Sequence, residues 1–249
     1  MTEHIELLVD DEKVIGTLHK GKPDSDTCII MCHGLLSNKD SVKYIVLGEA
    51  CEKFGFNAIR FDFRGCGESE GKIRDTTVTK RMADLNAIID YASKNLNANK
   101  IGLFGSSLGG YLSLIKTNQD PRIKAVVCIS SPYSMLNLID PTDISQGYME
   151  IDNVRISSTF FEDLEKNDDQ LLNGLATISS PVLLFQGDRD TLVPIDHAFK
   201  IFETLATEKD LKILSGAEHL IISPKYLSQI LKASFNWFNK YLWNGDLDE

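Results

Sequence analysis

The chain has 249 residues, 43% of them hydrophobic, enough to fill the core of one sizeable α/β domain. Its 26 basic and 36 acidic residues give a net charge of −10 without any basic cluster, which argues against nucleic acid and membrane surfaces as partners. Five cysteines form no C-x-x-C pair, no run approaches the roughly 18 apolar residues of a membrane span, and the first residues carry no basic segment followed by an apolar stretch. The expectation is a reduced, cytoplasmic protein without metal or cofactor; composition leaves a homodimer open.

Two short alternating runs, Ile5–Val9 and Val14–Leu18, separated by Asp-Asp-Glu-Lys, predict an antiparallel hairpin. Thr27-Cys-Ile-Ile-Met-Cys is continuously apolar, as in a strand buried on both faces. A helix near Ser41–Lys53, a strand at Asn57–Phe61 and a helix over 77–95 follow, the last with Val78, Met82, Leu85, Ile88, Ile89 and Ala92 at helical spacing. Strand 100–104, helix 107–117 and strand Ile123–Ile129 complete the middle. The last third repeats the rhythm with strand Pro181–Gln186, helix 196–206, strand Leu211–Leu214 and a helix from Pro224 to Leu242. The alternation predicts a mostly parallel eight-stranded sheet with helices on both faces, its reactive loops at the carboxyl ends of the strands. Residues 133–178 interrupt it. Phe160, Phe161, Leu164, Leu171, Leu172 and Leu175 give this segment apolar surface, and it is read as a small, partly helical cap inserted over that edge.

Between strand 100–104 and the next helix stands Gly105-Ser-Ser-Leu-Gly109, a G-x-S-x-G sequence in strand–turn–helix context. A serine at so tight a turn needs neighbours almost without side chains, and the register makes Ser107 the nucleophile rather than Ser106. A serine hydroxyl needs a base, and the base needs an acid to hold its tautomer. In a sheet of this kind both should follow the serine, acid first, on loops after strands. Of the two downstream histidines, His219 lies in Ser215-Gly-Ala-Glu-His directly after a strand; His197 opens a helix and is expected to face solvent. Asp190, three residues beyond Gly187, is preferred as the acid; Asp188, next to that glycine, suits a turn brace. The oxyanion hole is expected from the backbone N–H groups of Leu108 and Leu35, with Gly34 turning the latter inward. Gly34 and Ser106 are expected to line the substrate site, and His33 to brace its loop. Asp62 and Arg64 could form an internal charge pair, and Cys66 has no activating base nearby.

His33-Gly34, Asp62-x-Arg64-Gly65-x-Gly67-x-Ser69, Gly105-x-Ser107-x-Gly109-Gly110, Gly187-x-x-Asp190-x-x-Val193-Pro194 and Gly216-x-x-His219 together resemble the α/β-hydrolase superfamily along nearly the whole chain. Within it the chain is similar to the branch of monoacylglycerol-lipase-like hydrolases and cinnamoyl or feruloyl esterases, a pattern that proline-specific aminopeptidases share. The resemblance implies acyl transfer from a small-molecule ester to water through an acyl-Ser107 intermediate, with His219 as base and then acid and Asp190 orienting it. Ser106 departs from the histidine that many family esterases carry before the nucleophile. Two alternatives stand beside an esterase. One is a peptidase or amidase, with Glu162, Asp163 or Glu165 holding a substrate amino terminus; the other is a ligand-binding protein that keeps only the fold.

Overall fold

Asp10 and Asp11 both take left-handed backbone angles (φ 48° and 64°), as a two-residue hairpin turn requires, and fold β1 (Thr2–Val9) antiparallel onto β2 (Glu12–His19). A computed structural model of the protein describes residues 2–243; Met1 and residues 244–249 of the expected single domain lie outside the described residues. Strands and helices then alternate as β3 (Thr27–Cys32), α1 (Val42–Phe54), β4 (Asn57–Phe61), α2 (Val78–Asn95), β5 (Lys100–Ser106), α3 (Leu108–Gln119) and β6 (Ile123–Ile129). The second half adds β7 (Tyr148–Ile151), β8 (Val154–Ser157), α4 (Ser158–Gly174), β9 (Val182–Gly187), α5 (Ile195–Thr204), β10 (Lys209–Leu214) and α6 (Pro224–Leu242).

Eight strands form one sheet in the order β1-β2-β4-β3-β5-β6-β9-β10, antiparallel as far as β4 and parallel from there on. The chain runs from β3 outward to β4 and then returns across β3 to β5. This reversal makes the carboxyl ends of β3 and β5 the switch point, where connections diverge and leave a crevice. Cys32, Gly105 and Cys128 share one ladder row, so the loops after β3, β5 and β6 leave the sheet side by side.

Side-chain alternation divides the core. Cys28, Ile30 and Cys32 of β3 join the cluster beneath α2, α3 and α4, while Ile29 and Met31 join the one beneath α1 and α6. Each fully buried Leu, Ile or Phe in these layers contributes roughly 1.5–3 kcal/mol through removal from water. All five cysteines are free and buried, and burial pushes the thiols of Cys32 and Cys51 up to about 12.

The 133–178 excursion has two parts. Helix α4 buries Phe160, Phe161, Leu164 and Leu171 in the main core, so this apolar stripe belongs to the helical layer beside α2 and α3. The remainder contains an unforeseen hairpin, β7 with β8, turned by Asp152 and Asn153 at φ 49° and 63°. Its entry is clasped by Asp168 of α4, which is 2% exposed. That carboxylate accepts from Ser134 Oγ at 2.5 Å, the Met135 N–H at 2.9 Å and the Tyr111 hydroxyl at 3.0 Å. The expected Asp62–Arg64 pair does not form. Asp62 turns into its own loop and accepts the N–H groups of Lys39 (2.7 Å) and Glu68 (2.9 Å), with Lys39 Nζ at 3.3 Å. Arg64 instead reaches back to Asp84 at 2.6 Å and Asp10 at 3.0 Å.

A methyl group at Gly109 would lie 2.0 Å from the Cys32 carbonyl oxygen, a backbone atom that cannot yield. Gly109→Ala is therefore expected to lower the urea midpoint steeply or prevent folding. Gly147→Ala, with nothing within 4 Å but φ at 81°, should cost only about 1–2 kcal/mol; equal losses in the two variants would contradict this account.

Candidate active site

Ser107 caps α3 with φ 54° and ψ −124°, a region L-residues avoid at a cost of about 1–3 kcal/mol. The surroundings enforce it. Its N–H donates to Ile129 of β6 (2.8 Å), while its carbonyl accepts from Gly110 and Tyr111 in the first turn of α3. The glycines of the motif are sterically required: a Cβ at Gly105 would lie 2.5 Å from the Gly109 carbonyl oxygen. The hydroxyl is thus lifted off the sheet edge over the positive end of α3.

Asp190 fixes the rest of the set. It is 6% exposed, and Oδ1 accepts the N–H groups of Leu192 (3.0 Å) and Val193 (2.8 Å). Oδ2 accepts from Gln186 Nε2 at 3.2 Å and from His219 Nδ1 at 2.8 Å. Burial opposes its charge, but these hydrogen bonds outweigh it and hold the carboxyl below the ordinary carboxylate range. A carboxylate only accepts, so Nδ1 carries the imidazole proton and Nε2 is left to accept from Ser107 Oγ, 3.1 Å away. Asp188 ties the two loops together, accepting the Gly216 N–H at 2.6 Å, and the Arg189 N–H donates to Ala217 at 3.0 Å.

The other histidines are engaged elsewhere. His197 is not solvent-facing as expected: it is 7% exposed and its Nδ1 accepts the Tyr133 N–H at 3.1 Å, because the chain leaving β6 closes over the start of α5. His33 is fully buried. Its Nε2 accepts the Phe63 N–H at 3.0 Å, so Nδ1–H is the donor to the Gly34 carbonyl at 2.7 Å. Burial and the charge of Arg81 push its pKa down to about 3, so it stays a neutral brace.

Gly34 faces the nucleophile, with its Cβ position 3.4 Å from Ser107 Cβ. The N–H groups of Leu35 and Leu108, flanking this gap, have no protein acceptor among the described residues. Ser106 is partly exposed, and its carbonyl oxygen lies 3.5 Å from the Cβ position of Gly34. Cys66 Sγ lies 3.6 Å from the Leu35 carbonyl with its thiol raised by burial, which leaves it unreactive. Among the described residues no group of three or more His, Cys, Asp or Glu could hold a metal ion, and no helix is long and apolar enough to cross a membrane. Sequence reasoning missed Gln186 at the end of an apolar strand, Arg81 on an amphipathic helix and Asp168 in the acidic run of 162–169, none of them marked by a motif.

His33 and His19 are both buried neutral, His19 pushed down to about 4 by burial and by Arg60. Unfolded imidazoles bind protons below about pH 6.5, whereas these two in the folded state do not until far lower pH. Stability is therefore complete above about pH 6.5 and is lost as pH falls toward 4, with the depressed Asp190 carboxyl adding to the loss below that. Thermal midpoints should decline over this window; a constant midpoint would contradict the buried, neutral state of both rings.

The model of the prolyl oligopeptidase family matches residues 49–245. The chain is 27% identical over 208 residues to the mitochondrial palmitoyl-protein thioesterase ABHD10 of Mus musculus, an alignment covering 77% of this chain and 68% of that one. It spans about two thirds of the length of such curated relatives. Est1E from Butyrivibrio proteoclasticus, solved with ferulic acid bound, superposes with a TM-score of 0.83 at 21% identity, over 96% of this chain and 99% of that one. The monoacylglycerol lipase of Paleococcus ferrophilus gives a TM-score of 0.74 at 24% identity, over 91% and 98% of the two chains. These superpositions speak for the fold, and the family match spans the elbow and the loops carrying Asp190 and His219. The chain belongs to the prolyl oligopeptidase family, within the α/β-hydrolase superfamily.

Proposed function

We propose that the protein is a serine hydrolase cleaving carboxylic esters of small to medium acyl groups, cinnamoyl and feruloyl esters included. The observation that carries this reading is the unbroken hydrogen-bond chain from Ser107 Oγ through His219 to Asp190. As Oγ attacks the ester carbonyl, His219 Nε2 takes its proton, and the N–H groups of Leu108 and Leu35 receive the developing oxyanion. His219 then protonates the departing alcohol, and a water activated by the same imidazole releases the acid from Ser107. Asp190 stays ionised throughout and stabilises the transient imidazolium.

Exposed apolar residues follow the functional groups closely in sequence. Leu36, Leu192, Leu220 and Ile222 are 38%, 58%, 79% and 80% exposed, next to or close after Leu35, Asp190 and His219 in sequence. Such exposed apolar surface supports an apolar substrate. It also favours a second reading, thioesters of longer acyl chains, in line with the name of the relative from Mus musculus. The amide reading lacks its anchor: Asp163 accepts from the Thr79 N–H (2.8 Å) and hydroxyl (2.6 Å), and Glu162 and Glu165 lie on the exposed side of α4.

Wild-type protein should hydrolyse p-nitrophenyl acetate, butyrate and octanoate and methyl ferulate, with palmitoyl-coenzyme A as the thioester comparison. Ser107→Ala should lower kcat at least about a thousandfold, and Asp190→Asn roughly a hundredfold to ten-thousandfold. Unchanged activity in Ser107→Ala sinks the nucleophile assignment. A wild type inert on every ester and unlabelled by a fluorophosphonate points to a binding protein.

A further inference from the structure

Arg81, near the start of α2, is 1% exposed and makes no ion pair with a carboxylate among the described residues. A buried guanidinium is costly unless its donors are satisfied, and here they are satisfied mainly by one loop. Nη2 donates to the Leu35 carbonyl at 2.9 Å and Nη1 reaches the Gly34 carbonyl at 3.5 Å. Nε donates to Thr76 Oγ1 at 2.9 Å, Nη2 also faces Cys66 Sγ at 3.5 Å, and the group stacks 5.0 Å from the centre of the Phe63 ring. The fork is therefore fixed on three sides and aimed at two consecutive carbonyls.

In a trans peptide the carbonyl and the N–H point in opposite directions. The Gly34 carbonyl is drawn toward His33 and Arg81, so the Leu35 N–H of the same peptide points away from them, while Gly34 itself lies against Ser107. We propose that Arg81 is a positioning residue for the reaction: its guanidinium clamps the Gly34 and Leu35 carbonyls and so aims the Leu35 N–H at the tetrahedral oxyanion. The inference rests on the serine-hydrolase reading above. Binding of the ground-state ester does not need this alignment, whereas stabilising the oxyanion does.

The test compares wild type, Arg81→Met and Arg81→Lys on p-nitrophenyl butyrate, with butylboronic acid as the tetrahedral mimic. In Arg81→Met, kcat should fall roughly 10- to 100-fold with KM within about twofold, and the boronate Ki should rise by the same factor as kcat/KM falls. Ki is read from the remaining activity, so it does not depend on the folded fraction. Arg81→Lys, which keeps the charge but loses the fork, should recover part of both. Should Arg81→Met fail to fold, Arg81→Lys and Thr76→Val, which frees the third side of the fork, take its place with smaller shifts in the same direction. Unchanged kcat in folded variants, or lost activity with unchanged Ki, overturns the inference and leaves the esterase reading intact. A wild type without Ser107-dependent activity overturns both.

Discussion

The close crossing of α3 over the end of β3 is the constraint from which the site follows. With no side chain at Gly109, the helix backbone comes directly against the Cys32 carbonyl, and the same register brings β5 level with β3. That proximity sets the elbow beside the loop of Gly34 and Leu35, two segments separated by about seventy residues of sequence. A wider approach would leave Ser107 exposed at a helix start like many others, without a second backbone donor across the gap.

On the other side of Ser107 the geometry is fixed by charge. Asp190 collects backbone and side-chain donors from its own loop before it meets His219, so its second oxygen is already oriented when the imidazole arrives. Asp188, two residues earlier, anchors the histidine loop through Gly216. Two carboxylates on one turn thus divide the labour, one holding the ring and the other the backbone that carries it. Neither is spent on a surface ion pair, where its worth would be small.

Much of this was readable in the sequence because the relevant signals are local. Alternating runs mark the β1–β2 hairpin, and continuous apolar runs such as Thr27–Cys32 mark strands buried on both faces. The order of serine, aspartate and histidine on loops after strands pointed to Ser107, Asp190 and His219, which the structure brings within hydrogen-bond distance. What escaped was partner choice. The periodicity of α4 announces an apolar face without saying whether it covers a cleft or a neighbouring helix. Asp62 and Arg64 stand two residues apart in the chain yet look in different directions, toward Lys39 and toward Asp84. His197 reads as exposed from its helix start and is buried by a loop from elsewhere. The hairpin β7–β8 carries a weak local signal, Asp152-Asn153 between two short strands, set inside a polar stretch.

The backbone at Ser107 sets reactivity against stability. Glycine would adopt its φ of 54° at ease and relieve the strain, but it has no hydroxyl. The most comfortable occupant of the position is thus an inert one. An improvement judged by thermal robustness alone would erase the nucleophile, and the tension persists only where turnover, rather than endurance, is what the chain is held to.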